Sequence, residues 1–168
     1  MKIAIISDTH DHIWNIEKMS ALIKQHNCEA IIHCGDFCAP FTGALISNIG
    51  LPIYACLGNN DEDHYAISRK MKPTQLTPLA DEFGEVELDS KKIAFCHYPK
   101  LGELLAKSGD YDAVFHGHTH EAYQKTEGKT LLVNPGSICG IQGGRPAPAS
   151  FGIYDTTTND YQQIDLSS

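Results

Sequence analysis

"VFHGHTHEAY", residues 114–123, sends an apolar run into a glycine flanked by imidazoles, with His116, His118 and His120 packed into five positions. The preceding "YDAVF" (111–115) reads as a buried strand. Such a strand can end in a surface loop that happens to be His-rich, or it can present nitrogen ligands to a metal. The stretch alone leaves both readings open. The test is whether other strands in the chain end the same way.

Working outward, "KIAIIS" (2–7), "EAIIHCG" (29–35) and "PIYACLG" (52–58) are strand-like runs. Between the first two, Ile16, Met19, Leu22 and Ile23 recur at helical spacing within 12–27. "FTGALISNIG" (41–50) reads as a helix closed by Gly50. Strand alternating with helix implies parallel strands joined by helical crossovers. The region 62–82 is less regular, with a short helix near 64–71 limited by Pro73. After it, "EFGEVELD" (82–89) and "IAFCH" (93–97) read as a hairpin turning at "DSKK". "LGELLAKSG" (101–109) reads as a helix with Leu101, Leu104 and Leu105 on one face and Gly109 as its stop. Two further hairpins turn at Glu127–Gly128 and near Asn159. The chain begins as α/β and finishes β-rich, with no linker or repeat to divide it. The expectation is one domain over 1–168.

Composition narrows the function. The chain has 168 residues, 42% hydrophobic and 20% charged, which suits a globular domain with a sizeable core. A net charge of −8, with Arg69 and Arg145 as the only arginines, leaves no footprint for non-specific nucleic-acid binding. The acidic balance also argues against anionic membranes, and no apolar stretch is long enough to span a bilayer. The N-terminal apolar run is too short for a signal peptide and is broken by Asp8, so a cytoplasmic location is expected. The six cysteines (28, 34, 38, 56, 96, 139) form no CxxC pair and read as reduced thiols, those at 34, 56 and 96 as core residues.

The strand ends supply the test. The first ends in "SDTH" with Asp8 and His10, the second in "HCGD" with Asp36, and the third in "LGNND" with Asn59, Asn60 and Asp61. The strand at 93–96 ends in His97, and the next in "HGHTH". Five strand-like runs each end in a metal-capable residue, at the edge where α/β proteins gather ligands. A lone D-x-H or GD is usually a turn. The ordered set is specific.

These residues resemble the calcineurin-like metallophosphoesterases, and more narrowly their small bacterial and archaeal phosphodiesterases and the retromer subunit of the same fold. The likeness extends over "NPGS" (134–137) and "GGRPAPASFGIYD" (143–155). It implies a four-layer sandwich, two mixed β-sheets face to face with helices outside. It also implies one metal on Asp8, His10, Asp36 and His120, and another on Asp36, Asn59, His97 and His118, with Asp36 bridging. His116 is left to support a ligand or face the core. Gly117 is expected to let the turn bring its neighbouring histidines inward.

The implied cofactors are two divalent ions, manganese first, with iron, nickel and zinc also suited to nitrogen and carboxylate donors. They would activate a shared water for in-line attack on a small phosphate ester. The subgroup implies homo-oligomers, though no interface is legible. Many relatives carry a histidine where this chain has Asn60, which can donate a hydrogen bond but not act as a general acid. The family's phosphatases add an Asp and Arg after the bridging aspartate; "GDFCAPF" lacks both. Asp11 stands where a glycine is usual, as ligand orienter or solvated acid. Arg145 reads as a flexible loop residue or a phosphate contact, and Asn134 as a turn residue or a border of the site. Ile13 and Trp14 read as packing residues, while His12, His26, His33 and His64 have no legible partner. The leading function is a metal-dependent phosphodiesterase. A nucleotide or phosphomonoester phosphatase is the alternative chemistry, and a retromer-like scaffold the non-catalytic one. A scaffold has no need of a complete ligand set.

Overall fold

The computed structural model describes residues 1–71 and 82–166. β1 (Lys2–Ile6), β2 (Ala30–His33) and β3 (Ile53–Ala55) are parallel neighbours, joined by α1 (Ile13–Gln25) and α2 (Pro40–Ser47). Their isoleucine-rich runs are buried on both faces, as parallel strands require. α3 (His64–Lys70) follows; Pro73, its expected limit, lies outside the described residues. β4 (Phe83–Leu88), β5 (Lys91–Cys96), α4 (Pro99–Ser108), β6 (Ala113–Phe115), β7 (Tyr123–Glu127) and β8 (Thr130–Asn134) come next. The chain then forms a short ribbon, β9 (Ile141–Gln142) and β10 (Arg145–Pro146), and ends in the hairpin β11 (Ser150–Asp155) and β12 (Asp160–Asp165).

Two mixed five-stranded sheets result, ordered β12-β11-β1-β2-β3 and β4-β5-β6-β8-β7. Ile3, Ile5 and Ile32 of the first face Ile93, Phe115 and Val133 of the second, forming the inter-sheet core. The opposite residues of β1 and β2, Ile6 and Ile31 among them, pack with Ile16, Met19 and Ile23 of α1 and Ile46 of α2. α4 covers the second sheet's outer face, where Ala106 meets Ala94, Val114 and Leu132. The order is helix, sheet, sheet, helix: four layers, as the resemblance implies.

Several local expectations need correction. α2 stops at Ser47, and Gly50 takes its left-handed φ of 91° beyond the helix end. α4 starts at Pro99, whose fixed φ suits a first helical turn, and Leu104 is 56% exposed instead of sharing the buried face. Trp14 is 71% exposed, so it is not a packing residue. His12 caps α1 by accepting from Asn15 N.

His33 also has partners. Its ring is fully buried, stacked on Phe37 at 3.7 Å between centroids. Nδ1 accepts from Gly35 N at 3.1 Å, leaving Nε2 to donate to Thr9 Oγ1 at 3.3 Å. Burial pushes its pKa down to about 3. The unfolded chain protonates this imidazole near pH 6.5 and the folded chain does not, so stability falls as pH drops from there towards 3. His33→Gln should therefore show a smaller loss of urea midpoint between pH 7 and pH 5 than the parent. Equal losses would mean that His33 carries no part of the acid sensitivity.

Candidate metal centre

β1, β2 and β3 of one sheet and β5 and β6 of the other all end at the same edge of the sandwich. The loops beyond them are stitched together by backbone. Asp8 N donates to Gly35 O, and Thr9 N and His10 N both donate to Asp36 O, at 3.0–3.2 Å. Between the sheets, His118 N donates to Asp8 Oδ2 at 3.1 Å, and within the second sheet Gly117 N donates to His97 O at 3.1 Å.

The side chains fall into two groups that share one atom. His10 Nε2 lies 3.4 Å from Asp36 Oδ2 and 3.8 Å from Asp8 Oδ1, and His120 Nε2 lies 3.2 Å from Asp8 Oδ1 and 3.3 Å from His10 Nε2. On the other side of Asp36 Oδ2, His97 Nε2 is 3.5 Å away. His97 Nε2 and His118 Nδ1 are 3.2 Å apart, and each reaches Asn59 Oδ1, at 3.0 and 2.9 Å. All seven residues expected at the metals are brought together. His97 Nδ1 faces the Cys34 carbonyl at 2.8 Å, and His120 Nδ1 the Ile141 carbonyl. A carbonyl only accepts, so each Nδ1 carries a proton and each Nε2 is the nitrogen turned into the site.

The donor set fits cations. Asp8 Oδ1 is buried without a hydrogen bond, because Ser7 Oγ and His118 N engage Oδ2 instead. Burial would raise the Asp8 pKa, but His10 and His120 hold it well below the carboxylate range. Reciprocally, Asp8 and then Cys38 push His10 up to about 11, and Asp8 and then Cys139 push His120 up to about 10. The cavity calls for positive charge.

Backbone strain gathers here as well. Asp8, His10, Asp11, Asp36, Cys38, His118 and His120 all have φ between 39° and 74°, a region that non-glycine residues avoid. Gly117, the expected pivot of the histidine turn, is not itself left-handed among the described residues. Its role is close approach, since a Cβ there would strike Ser7 Oγ and Asp8 Oδ2. His118 and His120 make the bend themselves.

Other residues resolve into supports. Asp11 is no solvated acid: it accepts from Ala39 N and Thr42 Oγ1 and so caps α2, whose own N-cap residue offers no side-chain bond. His116 is buried against Tyr123, whose hydroxyl lies 2.6 Å from Nε2. Asn134 donates to Gly117 O and Thr119 Oγ1, bracing the histidine loop. Arg145 sits exposed on β10, which pairs with β9 in a short antiparallel ribbon. Asn60 donates from its backbone to Asp36 Oδ1 and from its amide to Asp36 Oδ2, at 2.9 and 2.8 Å. The sequence reading does not find Tyr98, whose ring stands 5.2 Å from those of both His97 and His118. It also misses Cys38 and Cys139, which abut His10 Nδ1 and His120 Nδ1.

Residues 1–159 match the calcineurin-like phosphoesterase superfamily domain. The chain belongs to this superfamily. It is 39% identical to phosphodiesterase MJ0936 of Methanocaldococcus jannaschii, across 99% of each chain. Its fold matches a solved structure described as a novel archaeal phosphodiesterase with a TM-score of 0.89 at 37% identity, covering 98% of this chain and 99% of that one. Vacuolar protein sorting 29 from Cryptosporidium parvum superposes with a TM-score of 0.70 at 20% identity, covering 98% and 95%, a likeness of fold alone. No helix among the described residues of this superfamily member is long and apolar enough to cross a membrane.

The remaining acid of "GNND", Asp61, carries the positioning. It is buried, and accepts from Asp36 N and Gly58 N through Oδ2 and from Cys38 N through Oδ1, at 2.8–2.9 Å. Burial, set against those three donors, leaves its pKa raised. Asp61→Ala strands three amides, which should cost at least about 1–3 kcal/mol of unfolding free energy. It should also weaken metal affinity by about 10–100-fold by freeing Asp36. Denaturant melts and competition with a chromophoric chelator measure the two effects; an unchanged affinity would show that Asp61 does not position the site.

Proposed function

We propose that the chain is a metal-dependent phosphodiesterase acting on small phosphate esters. Asp8, His10, Asp36 and His120 would hold one divalent ion, and Asp36, Asn59, His97 and His118 the other. The observation that carries this reading is Asp36 Oδ2, which faces both donor groups, 3.4 Å from His10 Nε2 and 3.5 Å from His97 Nε2. The kinship with a named phosphodiesterase supports the substrate class. Imidazole and carboxylate donors favour manganese first, with iron, nickel or zinc also accommodated. Such a pair of ions supplies an activated water and neutralises phosphoryl charge.

The protein's own residues do the rest. Buried Asp8 and Asp36 set the negative field, while His97 and His120 are locked by backbone carbonyls with Nε2 turned inward. Asn60 steadies Asp36 and offers an amide N–H at the site. It cannot give up a proton, so a departing alkoxide receives no general acid from position 60.

Two experiments test the reading. After chelation and reloading with manganese, hydrolysis of an aryl phosphodiester should return, and Asp36→Asn should abolish it while lowering bound metal. The loss should exceed about 100-fold, since even outer supports of a metal site are worth 10–100-fold. Full metal-dependent turnover in purified Asp36→Asn would refute the assignment. Secondly, log kcat/KM should fall steeply with leaving-group pKa, because general acid catalysis typically contributes about 10²–10⁴-fold and is missing here. Asn60→His should flatten that slope. Identical slopes in the two proteins would remove position 60 from proton delivery.

A further inference from the structure

Cys139 lies outside the donor set described above, yet its thiol points at that set. Its backbone is pinned there, with Cys139 N donating to Asp8 O and Ile138 N to Ser7 O, both at 3.1 Å. Cys139 is 5% exposed, and its Sγ stands 3.7 Å from His120 Nδ1. Two ligands on a tetrahedral zinc, at about 2.05 and 2.3 Å, are separated by about 3.6 Å. The sulfur and Nδ1 thus stand at ligand spacing, with Nδ1 holding the proton that it donates to the Ile141 carbonyl until a cation displaces it. His10 completes a triad: one donor atom from each of His10, His120 and Cys139 lies within 4.8 Å of the others. Asp8, His10 and Asp36 form a separate triad by the same measure. The two overlap at His10.

We propose that His10, His120 and Cys139 form a second cation position, selective for a thiophilic ion of the zinc class, that competes with the carboxylate-bordered position beside it. Softness decides between the two. A thiolate with two imidazoles prefers zinc or cadmium, whereas two carboxylates beside the same imidazoles suit manganese. Binding forms one metal–sulfur and two metal–nitrogen bonds, and the thiol proton and the proton on each coordinating imidazole nitrogen leave to solvent. If the cation bonds through His120 Nδ1, the proton that nitrogen donates to the Ile141 carbonyl is the one displaced, and that hydrogen bond is lost. The side chains of His10 and His120 are 25% and 17% exposed, so a cation can enter from solvent and find its fourth ligand in water. Occupancy draws two imidazoles away from Asp8 and Asp36 and so blocks turnover; this inhibitory consequence, unlike the site itself, rests on the phosphodiesterase reading.

Cobalt(II) reports the site directly, because a thiolate ligand adds a near-ultraviolet charge-transfer band that nitrogen and oxygen donors do not produce. Titrating metal-free protein with cobalt should raise that band, and Cys139→Ser and Cys139→Ala should each abolish it. Cobalt binding without the band in the parent protein, or a band that survives both substitutions, would overturn the proposal. With manganese-loaded enzyme, the zinc concentration giving half inhibition should rise at least about tenfold in Cys139→Ser. An unchanged value would overturn the competition. A cobalt band lost in both variants, in a protein that hydrolyses no phosphodiester under any metal, would leave the site standing and remove the proposed function instead.

Discussion

One buried carboxylate organises this molecule. Asp36 is 1% exposed, its Oδ2 facing imidazoles that arrive from β1 of one sheet and β5 of the other. A charge so placed is tolerable only if its neighbours neutralise or bond it. Asn60 contributes two N–H donors, and Asp61 holds the Asp36 backbone amide from below. The inter-sheet core therefore does more than bury apolar area. It fixes the distance between two sheets so that His10 and His97 meet the same oxygen.

Holding that geometry distorts the loops. Seven of the non-glycine residues with positive φ lie in the strand-end loops of the site, and each such residue costs on the order of 1–3 kcal/mol. The strain persists because backbone hydrogen bonds overdetermine the loops, notably the pair from Thr9 N and His10 N to one Asp36 carbonyl. A left-handed residue at the end of a strand also turns its side chain away from the sheet face. That is how Asp8, His10, His118 and His120 leave extended strands and still converge, and cation binding can then offset part of the cost of holding them.

The sequence is most legible where one physical rule acts alone. Isoleucine runs in β1 and β2 and the periodic Ile16, Met19 and Ile23 read correctly because burial on both strand faces and on one helix face sets the pattern. The convergence of strand ends is visible because parallel strands put their carboxyl ends together. What escapes is set by tertiary contact. Asp11 looks like a solvated acid until Ala39 and Thr42 arrive from 28 and 31 residues away. His33 looks unpartnered because Phe37, Gly35 and Thr9 meet it only when two loops fold together. Gly117 reads as a flexible pivot, although a Cβ clash with Ser7 and Asp8 explains it and the bend belongs to its neighbours.

The thiols show the same limit most sharply. Cys38 and Cys139 lie far apart in sequence, and neither has a partner at zinc-finger spacing. By sequence rules they are inert. In space each meets the Nδ1 of a different histidine, and those two histidines face one another through Nε2 at 3.3 Å. Burial raises the Cys139 thiol pKa, but the imidazole of His120, Ser137 and the Ile141 backbone reverse that and leave it lowered, whereas burial alone pushes Cys96 up to about 12. The contrast follows from surroundings, since apolar burial raises a thiol's pKa and a neighbouring imidazole lowers it. A carboxylate in those places would have been the ordinary outer partner for a ligand histidine. Sulfur instead gives the centre a soft flank beside its hard carboxylates, so the identity of the bound cation becomes a matter of which flank it prefers.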